Sequence, residues 1–80
     1  MFVAISQYLV GLDEVDPHRD AHKAWLADQG ERIVVSGRQT PPDGGVIVFE
    51  AEDRAAAEAL IATDPYVAAG VARYAITQFG

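Results

Sequence analysis

"ERIVVSGRQTPPDGGVIVFE", residues 31–50, decides the fold. Two apolar β-branched runs, IVV and VIVF, flank "RQTPPDGG", whose paired prolines and glycines nothing regular could cross. The stretch therefore reads as a strand over 31–37, a turn, and a strand over 45–50. Neither strand alternates apolar with polar residues. A half-exposed strand should alternate, whereas one covered on both faces should not.

Working outward toward the N-terminus, residues 2–10, FVAISQYLV, form another strand, closed by Gly11. In "LDEVDPH" Asp16 can cap a helix and Pro17 fits its first turn, predicting a helix from Pro17 to Gln29 with Gly30 as the stop. At about 100° per residue, His18, His22, Trp25, Leu26 and Gln29 share one inward stripe. Toward the C-terminus, Asp53 caps "RAAAEALIAT", in which Ala56, Leu60 and Thr63 share a face. Pro65 ends this helix, because a residue before proline is pushed out of the helical region. "VARYAITQF", residues 71–79, is the last strand.

The order β-α-β-β-α-β is the split arrangement of a ferredoxin-like, α+β domain, with a four-stranded antiparallel sheet and two helices on one face. The apolar strands need cover on the other face too. A second copy of the same sheet is the simplest cover, so the expectation is a homodimer packed through the open face.

The bulk numbers agree. At 80 residues the chain is one domain, and it buries only about 60–65% of its unfolded surface. With no cysteine it has no disulfide staple, so association is the leading source of further stability. A net charge of −6, with six Lys/Arg scattered singly, disfavours nucleic acid and anionic membrane. The apolar start is too short to span a bilayer and lacks the features of a signal peptide, which points to the cytoplasm.

The sequence holds no phosphate-binding glycine loop, HExxH or GxSxG. His18 and His22 are one turn apart, a spacing metals use, but no third ligand is local, so no metal is expected. The candidates that remain are His22, Asp64, Ser36, Arg38, Tyr66 and Arg73. An imidazole in an apolar stripe is an odd choice, since leucine would pack better. Asp64 ends the helix packed beside it and could accept from one ring nitrogen, leaving the other for a substrate. A histidine satisfied by a backbone carbonyl, and an Asp-Pro that merely forms a turn, would look the same. Ser36-Gly37 ends a strand where a ligand could come close, or simply turns. Arg38 and Arg73 could hold an anionic substrate or sit solvated, and Tyr66 could be a pocket wall or ordinary packing. Trp25 reads as core.

The set running from His18 to Phe79, with His22, Ser36-Gly37, Gly44-Gly45, Asp53 and Asp64-Pro65-Tyr66 in that order, resembles the YCII-related family of small bacterial proteins. The resemblance implies a ferredoxin-like domain that dimerises as an α/β barrel. It also implies a His–Asp pair lining a cavity and proposed as catalytic, which carries over onto His22 and Asp64, with Ser36 as a third candidate. Some relatives resemble enzymes that dehydrochlorinate aromatics or isomerise lactones, chemistry in which a base removes a carbon-bound proton. The loop before the first helix is short, which reduces any lid over the pocket.

Two functions follow. One is an enzyme, of lyase or isomerase type, working without a cofactor on a small cyclic or carbonyl molecule. His22 would take the proton, Asp64 would orient the ring, and Ser36 or Arg38 would bind the oxygen that gains charge. The other is a non-catalytic dimer that binds a small ligand or serves as an accessory module. An electron-transfer role fails for want of cysteines.

Overall fold

The computed structural model describes residues 1–80, and they follow the expected order with additions. The strands are β1 (Phe2–Tyr8), β2 (Ile33–Arg38), β3 (Gly45–Phe49) and β4 (Ala72–Gln78). The helices are α1 (Leu12–Val15), α2 (Arg19–Asp28), α3 (Arg54–Ala62) and α4 (Pro65–Ala68). The sheet is antiparallel in the order β2-β3-β1-β4, with a register shift between Ile33 and Val35. No helix is long and apolar enough to cross a membrane.

Alternation along the strands sorts the sheet into two faces. Phe2, Ala4, Ile47 and Phe49 point to the helices, where Trp25 of α2 and Ala57 and Ile61 of α3 complete the core. Val15, Tyr66, Val71 and Ala72 form a second buried cluster beneath α1 and α4. On the opposite face the register aligns Val3, Val48 and Val35 in one row, and Ile5 with Val46 in the next. Ile5 is 46% exposed and Val35 59%, so the chain alone leaves an apolar sheet face uncovered.

Several local expectations are corrected. The first helical stretch starts at Leu12 rather than Pro17, since Gly11 accepts from the N–H groups of Glu14 and Val15. Asp13 and Glu14 favour that positive helix end. The Asp16 side chain caps no helix start: Pro17, fixed in φ and without an N–H, tightens Asp16–His18 into a 3₁₀ turn between α1 and α2. The carboxylate of Asp16 instead reaches Arg38, 2.6 Å away. Gly30 does stop α2, at φ +60°, but a further 3₁₀ turn over Gly30–Arg32 delays the strand to Ile33. In α3, capped by Asp53 as expected, the inward face is Ala57, Leu60 and Ile61, and Ala56 is exposed. Pro65 does not simply end a helix, because it opens α4.

Candidate active site

The Asp64-Pro65 pair is the pivot. Proline suits the first position of α4, where no N–H is needed, and it holds the preceding residue extended. Asp64 accordingly has φ −60° and ψ 129°, which turns its carboxylate back to accept from the Tyr66 N–H at 3.0 Å. The same Oδ1 lies 2.8 Å from His22 Nδ1. Oδ2 accepts from the Tyr74 hydroxyl at 2.6 Å, the short distance typical of a charged acceptor. Asp64 is wholly buried, and three donors converge on its two oxygens.

An ionised carboxylate has only acceptors to offer, so His22 Nδ1 donates to it, and in the neutral form of the ring the lone pair lies on Nε2. Nε2 has no partner in the chain, and no buried side-chain nitrogen or oxygen lacks one, so Nε2 is open to solvent. The ring is clamped from several sides. Tyr66 stacks on it at 4.1 Å between centroids and 9° between planes. One turn on, Trp25 Nε1 donates to Thr63 Oγ1 at 2.9 Å, tying α2 to the residue before Asp64.

His22 opens onto a cleft of about 150 Å³ between α2 and the sheet, where Ser36, Arg38, Tyr66 and Tyr74 also contribute wall. Arg38 donates through Nε to the Tyr8 hydroxyl at 3.1 Å and through Nη2 to Asp16. The Asp16 bond raises the Arg38 pKa, outweighing the opposing effect of burial, so the guanidinium stays charged. Burial pushes the Tyr74 phenol up, and its bond to Asp64 pushes further, which keeps it a neutral donor. Burial raises Tyr66 as well, against the pull of Arg38.

Of the six residues singled out from the sequence, five meet at this cleft or directly behind it. Arg73 does not join them. It lies on the open face of β4, exposed, with its guanidinium on Gln7 at 3.1 Å. Tyr74 was not singled out, although alternation along β4 places it on the inner face with Ala72 and Ile76. Tyr8, Ser6, Arg19 and Lys23 also line the cleft. No group of three His, Cys, Asp or Glu side chains is placed to hold a metal ion.

A family model described as the YCII-related domain matches residues 1–80. Among curated proteins none matches the chain in sequence. Among solved structures, it is similar to 5-chloro-2-hydroxyhydroquinone dehydrochlorinase from Burkholderia phenoliruptrix AC1100, in complex with 2,5-dihydroxybenzoquinone. The TM-score is 0.85 at 20% identity, over 100% of this chain and 94% of that one. At that identity the likeness speaks for the fold alone, a ferredoxin-like α+β domain.

Proposed function

The chain belongs to the YCII-related domain family, and we propose that it is an enzyme using His22 and Asp64 for general acid–base chemistry on a small cyclic or carbonyl substrate. One observation supports this: the buried Asp64 carboxylate lies 2.8 Å from His22 Nδ1, which favours the Nδ1–H form, and the same imidazole lines the cleft. Nε2 removes a proton from carbon next to a carbonyl, and the C–H electron pair moves onto the oxygen. Arg38, or the Ser36 hydroxyl, stabilises that oxygen as charge builds. The resulting enolate either expels chloride from the neighbouring carbon or takes the proton back from Nε2 at a different carbon. The first outcome is lyase-type dehydrochlorination, the second an isomerisation, and proton transfer of this kind requires no cofactor. The dehydrochlorinase named for the similar structure performs chemistry of the first class.

Chloride release from chlorinated hydroquinols and deuterium exchange into small lactones test the proposal, with wild type beside His22→Gln. The expected result is a rate increase of about 10²–10⁴-fold that His22→Gln abolishes. Turnover that survives the substitution would end the reading. A second reading, a ligand-binding or accessory module, draws on the completeness of the Asp64 contacts, which would serve packing equally well. In either case we propose that a second copy covers the apolar sheet face. Sedimentation should then give a dimer, which a charge at Val35 would split.

A further inference from the structure

We infer that the cleft binds a single-ring molecule carrying an oxyanion, a carboxylate or an ionised phenol, held by Arg38, Lys23 and Arg19. The inference rests on reading the cleft as a substrate site, but not on the chemistry of the His22–Asp64 pair. The chain carries twelve Asp/Glu against six Lys/Arg, two acids for each base. Around the cleft that balance is inverted. Arg19, Lys23 and Arg38, half of the chain's cations, line it, and no Asp or Glu does. Asp64 sits behind His22 with its oxygens spoken for, and Asp16 meets Arg38 from outside the lining.

Folding does not explain this placement. Arg19 and Lys23 are four residues apart on α2, a like-charge spacing that weakens a helix. Arg19 also opens the helix, where the dipole disfavours a cation. Both are exposed and neither makes an ion pair. An anion between them and Arg38 would offset both penalties. Arg38 spends only Nε and Nη2 on Tyr8 and Asp16, so N–H groups of its five remain for an oxyanion.

Size and walls supply the rest of the description. A volume of about 150 Å³ is of the order that takes one benzene-sized ring. Tyr8, Tyr66, Leu26 and Ile47 provide an aromatic and aliphatic lining that a bare inorganic anion would leave unused.

Titration of ¹⁵N-labelled protein with benzoate, 4-nitrophenolate, neutral benzamide and inorganic phosphate tests the assignment. Benzoate or 4-nitrophenolate should shift the amides of Lys23, Gly37 and Gly45 and bind at least about tenfold more tightly than benzamide. The tighter of the two anions identifies the source of the charge. Arg38→Gln and the exposed Lys23→Gln should each weaken anion binding several-fold and by more than they weaken benzamide binding, and Lys23→Gln serves alone should Arg38→Gln fold poorly. Benzamide binding as tightly as benzoate, or no binding at the cleft, overturns the anion site, and phosphate matching benzoate overturns the ring. Anion binding that persists without any turnover would count against the acid–base reading and leave this one standing.

Discussion

Replacing Asp64 by asparagine keeps the shape of the side chain and removes its charge. The amide oxygen must stay at the Oδ1 position, because the Tyr66 N–H at 3.0 Å and the His22 Nδ1–H at 2.8 Å both need an acceptor. That directs the NH₂ group at the Tyr74 oxygen, 2.6 Å from Oδ2. The phenol must then turn from donor to acceptor, across a gap about 0.3 Å too short for N–H···O. Two hydrogen bonds to a charged acceptor, worth about 1.5–3 kcal/mol each, fall to neutral ones near 1 kcal/mol, and the third is strained. Relief of carboxylate desolvation works in the other direction. We expect a net loss of about 2 kcal/mol, or roughly 8–16 °C in Tm for a domain of this size. Asp64→Ala orphans all three donors and opens a cavity, and should cost about 3–5 kcal/mol. Urea unfolding at matched protein concentration measures both, since association would make stability concentration-dependent. An Asp64→Asn variant within about 0.5 kcal/mol of wild type would refute the idea that the charge organises this cluster.

His22→Ala is expected to cost only about 1 kcal/mol, because the ring edge is solvent-accessible and water can replace its bond to Asp64; a loss beyond about 2 kcal/mol in the same urea assay would favour the packing role. Tyr74 titrates above its ordinary value through burial and its Asp64 bond, so its contribution to stability is full below about pH 10 and is lost as pH rises through the folded value. Phenolate absorbance at about pH 11 should therefore fall short of the value for all three tyrosines while the chain stays folded, and full ionisation of a native fold would contradict this. A Cβ on Gly44 would collide with the Ser6 carbonyl, which is backbone and cannot step aside. Gly44→Ala should destabilise by about 2 kcal/mol or more, read as a fall in Tm; an unchanged Tm would mean the β1–β3 approach is looser than described.

The sequence carried the architecture because its punctuation is chemical. "TPPDGG" cannot continue a strand, Gly30 takes a positive φ that other residues avoid, and Asp53 offers an oxygen to a helix end. What failed were distinctions among similar residues. In "RAAAEALIA" five of nine positions are alanine, so periodicity barely separates one face from the next, and the buried face fell one residue away from Ala56. Pro65 is compatible both with ending a helix and with starting one, and only the chain beyond it decides. The His22–Asp64 pairing rests in the sequence on helix adjacency together with the family resemblance, and in the structure the two atoms lie 2.8 Å apart. Tyr74 and Asp16 were missed for a common reason. Each acts on a partner fixed by strand register and helix entry, Asp64 for one and Arg38 for the other, and neither has a local sequence signal. The six cations look scattered along the chain, and folding gathers three at one cleft.

The central claim is that Asp64 holds His22 with its proton on Nδ1 and a bare Nε2 toward the cleft. Imidazole ¹⁵N chemical shifts at about pH 8, assigned with His18→Gln to isolate one ring, test it most directly. The account predicts a protonated Nδ1 and an unprotonated Nε2 for His22, with that preference weakened in Asp64→Asn. A proton on Nε2 and a bare Nδ1 would contradict it, since the nitrogen facing the cleft could then not serve as a base.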